Sequence, residues 1–297
     1  MSSFQSWIAD SSQRIHEGLL YYLENRRYPA PKLQESMAYA VLNGGKRIRP
    51  LLIYATGKIF AAPLENLDLA ALAIEFIHSY SLVHDDLPAM DNAALRRGKP
   101  SCFKAFGEDL AILTGDALQT LAFEVLATHP APLSAAKRLE MVQILSRASG
   151  PSGMVSGQTL DILNTSAIRL SEQDLTQLYR LKTGVLIEAS IRLGLAGSSV
   201  KSTKDKKALE SFAENISLGF QIQDDLLDLE GQPEAIGKPT GLDQTHEKTT
   251  YPLLVGLEAA KMKVERLFQH AFQALEPLGS KADFLRQLTD AVRKRVS

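Results

Sequence analysis

Apolar residues recur at three- and four-residue spacing along almost the whole chain, and no stretch alternates apolar with polar at the two-residue period of a half-buried strand. The pattern predicts helices near residues 4–25, 31–43, 47–59, 65–87, 105–128, 134–163 with a break at Gly-Pro-Ser-Gly, 171–195, 205–230, 251–275 and 280–296. Turn residues separate them: Asn43-Gly44-Gly45, the turn from Pro130 to Pro132, and the polar run from Gly197 to Lys207. Ser171 followed three residues later by Asp174 is a capping signal for the helix that carries Tyr179 to Gly184. The most apolar run, residues 67–83, contains Asp68, Glu75 and His78, which would be costly in lipid, so it is expected to be a buried core helix rather than a membrane span.

These elements predict an all-α protein. A chain of 297 residues, 45% hydrophobic and only 7% aromatic, can bury one large helical core, and a single domain over 1–297 is expected. The formal net charge of -1 points away from nucleic-acid binding and from a polybasic membrane anchor. Cys102 is the only cysteine, which excludes an intrachain disulfide and a thiolate zinc site and fits a reducing cytoplasm. The first twenty residues mix acidic and basic side chains and lack the layout of a signal peptide.

With net charge uninformative, local charge matters more. Asp224, Asp225 and Asp228 join Gln221 at i, i+3, i+4 and i+7 on one side of a helix, with Asp224 and Asp228 about 40° apart. Like charges one turn apart repel unless a cation sits between them. Carboxylate oxygens suit Mg²⁺, which takes one or two carboxylates, keeps several waters and is commonly completed by phosphate. A second cluster, Asp85, Asp86 and Asp91, follows the most apolar helix. Asp85 and Asp91 are six apart and would face different ways on an unbroken helix, but Pro88 interrupts it and could bring Asp91 back beside Asp85. Either cluster alone reads equally as a solvated acidic helix end; two of them favour metal. Phosphate requires cations, and Lys46, Arg47 and Arg49 behind Gly44-Gly45, then Arg96-Arg97, Lys182, Lys238 and Lys248, are numerous enough for two anionic substrates.

The ordered motifs GGKRIRP, FIHSYSLVHDDLPAMDNAALRRGKPS, GDAL, GQTLDI, YRLKTG, FQIQDDLLD and GKPTGLDQTHEKTTYPLL span nearly the whole chain. In this order they resemble the short-chain trans-isoprenyl diphosphate synthase family. The spacing of Asp85, Asp86 and Asp91 is the longer one, similar to that of bacterial farnesyl and plant-type members. The resemblance implies the isoprenoid synthase fold, a single large helical bundle around a deep central cavity, usually a homodimer, with three Mg²⁺ per active site. It implies that Asp85 and Asp91 hold two ions and Asp224 the third, with Asp228 acting on it through water. Isopentenyl diphosphate would be held by Lys46, Arg49, His78 and Arg97, and the allylic substrate, dimethylallyl or geranyl diphosphate, by Arg96, Lys182, Lys238 and Lys248. Thr183 and Gln221 would lie beside the allylic carbon. Tyr80, on side-chain type alone an ordinary core aromatic, sits roughly 7.5 Å deeper on its helix than Asp85. By the resemblance it becomes the floor that stops elongation at fifteen carbons.

The expected reaction is ionisation of an allylic diphosphate, attack by the isopentenyl double bond and proton loss. Three rivals are weighed by the same motifs. A class I terpene cyclase would replace the second aspartate motif by a mix of Asn or Asp with Ser/Thr and Glu, and needs no second diphosphate site. A phosphohydrolase would need histidine ligands beyond His84. A silent regulatory subunit would tend to lack an aspartate motif, and both are present.

Overall fold

Helical periodicity on this scale leaves little room for other structure, and a computed structural model of the chain, describing residues 3–164, 170–200, 202–229 and 249–294, is helical nearly throughout. In order the helices are α1 (Ser3–Leu20), α2 (Pro31–Leu42), α3 (Ile48–Ile59), α4 (Leu64–Asp85), α5 (Cys102–Phe106), α6 (Glu108–Thr128), α7 (Ala135–Ser149), α8 (Met154–Leu163), α9 (Glu172–Tyr179), α10 (Val185–Ala196), α11 (Thr203–Leu229), α12 (Tyr251–Val255), α13 (Leu257–Ala274) and α14 (Asp283–Arg293). The expected all-α class is therefore what the structure has. Ser171 caps α9 as predicted: its hydroxyl accepts from the Asp174 amide while the Asp174 carboxylate accepts from the Ser171 backbone.

The departures are local. Tyr21–Asn25 and Arg180–Gly184 form π-turns where ordinary helix was expected. Gly256, at φ 90°, divides the predicted 251–275 helix into α12 and α13. Among the described residues the extended structure is one antiparallel hairpin, β1 (Leu95–Arg96) and β2 (Lys99–Pro100), too short to leave any alternation in the sequence.

The chain forms two compact units, one of Met1–Gln143 with Ala196–Ser199 and the other of Ile144–Leu195 with Val200–Ser297. In the first, α4 is buried along most of its length against α3 and α6. The three polar residues on α4 that argued against a membrane each have a partner in the fold. Asp68 accepts from Arg14 at 2.6 and 2.7 Å and from the Tyr54 hydroxyl at 2.6 Å, Glu75 pairs with Arg47, and His78 meets Arg49. α6 is long and apolar enough to cross a membrane, but Ala111, Leu118, Ala122 and Val125 pack it into this unit, and Glu108, Asp109, Asp116 and Glu124 lie along it. In the second unit α11 packs lengthwise on α13, burying Phe212, Ile216, Val264 and Phe268.

Candidate active site

The first acidic motif sits where α4 ends. Pro88 stops the helical ladder, and the chain turns back so that the Asp91 amide donates to the Asp85 carbonyl at 2.9 Å. Asn92, in left-handed conformation at φ 48°, donates to the Leu87 carbonyl at 3.0 Å and secures the reversal. Asp85 and Asp91 are thereby neighbours and both partly exposed. Asp86 points the other way: it is 2% exposed and accepts from Arg96 through Nε, at 3.1 Å to each oxygen, and through Nη2. Burial opposes the Arg96 charge more than any other single effect, yet the bond to Asp86 and the negative charges of Asp86, Asp85 and Asp91 together leave the guanidinium pKa raised.

The predicted anion-binding side chains of this unit lie together. Arg49, in the first turn of α3, donates to His78 Nε2 at 3.3 Å. A guanidinium can only donate, so His78 is neutral and carries its proton on Nδ1. Burial, followed by the charges of Arg49, Arg97, Arg96 and Arg47, holds the His78 pKa well below the ordinary imidazole value. Arg97 reaches across from the hairpin to the Gly44 carbonyl. A Cβ on Gly45 would lie 2.8 Å from the Arg97 guanidinium carbon, so this position at φ 117° requires glycine both for its backbone and for the approach of the arginine. Arg47 and Arg97 are themselves left-handed, at φ 49° and 53°, an unfavourable conformation held by their contacts. Arg47 is anchored to buried Glu75 and to the Val41 carbonyl at 2.6 Å. Lys46 is exposed on the loop between these anchors.

In the second unit the Arg180–Gly184 π-turn presents Lys182 and Thr183. Gly157 of α8 lets this turn approach closely, since a Cβ there would fall 2.1 Å from the Lys182 nitrogen. Lys182 Nζ donates to Asp161 Oδ2 at 2.6 Å, and Thr183 Oγ1 donates to Gln221 Oε1 at 2.7 Å. On α11, Gln221, Asp224 and Asp228 are partly exposed, while Asp225 is 5% exposed and accepts from Tyr179 and from the Tyr251 amide. The acidic face read from the sequence is thus divided, with Asp225 turned inward. Lys238 and Lys248 lie outside the described residues.

Tyr80 is 6% exposed, its ring edge-on to His84 at 5.6 Å. Among the described residues no group of three or more His, Cys, Asp or Glu forms a cation cage of its own. That donor arrangement, paired hard oxygens with fixed guanidinium groups nearby, suits Mg²⁺ completed by a phosphate ligand.

Four acids that hold the site's cations and dipoles were not singled out for that task from sequence: Glu75, Asp86, Asp161 and Asp225. Each is buried, and each stands beside apolar neighbours. An acidic residue inside a continuous apolar run, as Glu75 is in LAIEFI, is the signal that was available, because a buried carboxylate needs a cationic or multiply donating partner.

Residues 30–285 match the family model for polyprenyl synthetase. The chain is 45% identical over 280 residues to a farnesyl diphosphate synthase of Haemophilus influenzae, covering 94% of each. It is similar to the crystal structure of a geranyltransferase from Legionella pneumophila, with a TM-score of 0.90, 40% identity and coverage of 99% of this chain and 98% of that one. It is also similar to a geranyltransferase from Helicobacter pylori solved with magnesium and isoprenyl diphosphate, with a TM-score of 0.83, 34% identity and coverage of 98% and 97%. By its ordered motifs, its all-α fold and these matches along its length, the chain belongs to the polyprenyl synthetase family.

Proposed function

We propose that the chain is a Mg²⁺-dependent prenyltransferase that condenses isopentenyl diphosphate with dimethylallyl diphosphate, and then with geranyl diphosphate, to give (2E,6E)-farnesyl diphosphate. The observation that carries this reading is the turn that sets Asp91 against Asp85 within the same unit as four guanidinium groups gathered around a neutral His78. Carboxylates placed for a hard cation beside fixed positive charge suit a diphosphate far better than a neutral substrate. Family membership and the likeness to farnesyl diphosphate synthases support the chemistry and the fifteen-carbon product.

On this reading Asp85, Asp91, Asp224 and Asp228 hold three Mg²⁺, which when bound neutralise the diphosphate and make it a competent leaving group. Lys46, Arg49, His78 and Arg97 hold isopentenyl diphosphate. Arg96, Lys182, Lys238 and Lys248 hold the allylic diphosphate. As the carbon–oxygen bond breaks, its electron pair leaves with the diphosphate, and Arg96 and Lys182, already fixed by Asp86 and Asp161, stabilise the growing charge without having to reorganise. The Thr183 and Gln221 dipoles and the Lys182 carbonyl face the resulting allylic cation. The isopentenyl double bond attacks it, and the departed diphosphate takes the proton that is lost. Tyr80 closes the chain-length floor. The two units are taken to act as one catalytic domain over 1–297, in a cytoplasmic homodimer without a membrane span. The lone buried Cys102 and the packed α6 support the location.

Incubation with isopentenyl diphosphate and labelled dimethylallyl diphosphate, with Mg²⁺ or with a chelator, tests the function by the chain length of the product. A fifteen-carbon diphosphate formed only with metal is expected. A cyclised hydrocarbon, free phosphate from the allylic substrate, or no product would overturn it.

A further inference from the structure

Asp225 has no part in the ligand sets above, yet it is among the most heavily bonded carboxylates of the second unit. Its Oδ2 accepts from the Tyr179 hydroxyl and, at 3.0 Å, from the Tyr251 amide, which also meets the Tyr179 oxygen at 3.1 Å. Its Oδ1 accepts from Gln221 Nε2 at 3.2 Å, one turn earlier on α11. Tyr251 is in turn tied to Glu172 through its hydroxyl at 2.5 Å. All three residues around Oδ2 are buried, Asp225 at 5%, Tyr179 at 6% and Tyr251 at 2% exposure, so the carboxylate is anchored from α9, α11 and α12 together.

A carboxylate can only accept, so Gln221 must turn its amide nitrogen toward Asp225. Its carbonyl oxygen then faces Thr183, and the Thr183 hydroxyl must donate to it, as the 2.7 Å contact shows. The direction of every hydrogen bond from Asp225 to Thr183 is thereby set. A reversed Gln221 would put oxygen against oxygen at Asp225.

We propose that Asp225 is a positioning residue that sets the hydrogen-bond polarity of Gln221 and Thr183, so that both present oxygen lone pairs rather than N–H or O–H donors to the allylic cation. This rests on the prenyltransferase reading, in which those two side chains flank the reacting carbon. A donor hydrogen at either position would repel the developing positive charge, so the wrong polarity slows ionisation while leaving the grip on the diphosphates untouched.

Substitution can reverse the polarity. In Asp225→Asn, the two donors aimed at Oδ2 hold the amide oxygen there, so the new NH₂ faces Gln221 and forces it to flip. Gln221 then donates to Thr183. In Asp225→Asn with Gln221→Glu, a carboxylate accepts from both Asn at 225 and Thr183, and the original polarity at Thr183 returns with no change in net charge. Gln221→Glu alone sets two carboxylates face to face. The expected result is a kcat lowered roughly 10- to 100-fold in Asp225→Asn with both KM values within about twofold of wild type. The double variant is expected to regain most of the loss in kcat and to unfold at higher urea than either single variant. An active wild-type enzyme in which Asp225→Asn keeps its kcat, or in which the double variant does not regain kcat relative to Asp225→Asn even if its stability returns, would overturn the proposal. A wild-type chain without prenyltransfer would instead overturn the function on which it rests.

Discussion

Glu75→Ala removes the carboxylate that anchors Arg47 and leaves a guanidinium with 11% of its side chain exposed facing the space of a carboxylate that was itself 2% exposed. Breaking a buried ion pair by deleting one partner costs about 3–5 kcal/mol, because the remaining charge is neither solvated nor paired. At a urea slope of about 3 kcal/mol per molar, that lowers the unfolding midpoint by roughly 1–1.7 M. Glu75→Gln keeps an oxygen that accepts from Arg47 and loses only the charge, so its loss is expected to be about half as large. The same change reaches the anion site. Arg47 sits between Lys46 and Arg49 in a left-handed conformation that its bonds to Glu75 and the Val41 carbonyl maintain. Released from Glu75, the loop relaxes and the KM for isopentenyl diphosphate rises, with less effect on the allylic substrate, whose proposed lysine Lys182 lies in the other unit. Urea titration followed by far-UV circular dichroism measures the first effect, and steady-state kinetics with each substrate varied in turn measures the second. A Glu75→Ala midpoint within about 0.3 M of wild type, less than 1 kcal/mol at that slope, would refute the buried-pair argument.

Tyr80→Ala removes the ring beside His84 that is proposed as the chain-length floor and is expected to shift the product to geranylgeranyl diphosphate or longer, read by chromatography; an unchanged farnesyl product from a folded variant counts against that role. Asp85→Ala and Asp224→Ala are each expected to lower turnover by orders of magnitude with the helical circular dichroism intact, and near-normal rates in either would defeat the metal assignment. His78 has a folded pKa well below the ordinary 6.5, so the unfolded chain binds a proton that the native state refuses. Its contribution is complete above about pH 6.5 and is lost as the pH falls toward the folded value. His78→Gln, which still accepts from Arg49, is expected to flatten the decline of the urea midpoint between about pH 6.5 and 5; an unchanged slope would show that another group sets it.

The helices were legible in the sequence because amphipathic spacing, caps and turn residues act over a few residues and do not depend on the rest of the fold. Ser171 with Asp174, Gly44-Gly45 and Pro88 each did in the structure what their local chemistry predicted. The π-turn at Arg180–Gly184 and the two-residue hairpin were not legible. The first differs from an α-helix by one residue in its hydrogen bonds, and the second is too short to carry a period.

The site shows the same division more sharply. Sequence alone determined that two acidic clusters, a glycine-rich basic loop and a paired arginine motif occur in an order that matches a diphosphate-condensing family. Spacing and residue type could not tell one aspartate of an adjacent pair from the other; the choice of Asp85 and Asp224 came from the family resemblance. Asp85 and Asp86 share a helix end, and Asp224 and Asp225 share a helix turn, yet Asp86 and Asp225 are buried and bound to Arg96 and to Tyr179 with Tyr251. Those partners come from ten to forty-six residues away in the chain. Which carboxylate stays partly exposed and which turns in to hold the frame depends on where distant donors arrive, and only the tertiary packing decides that.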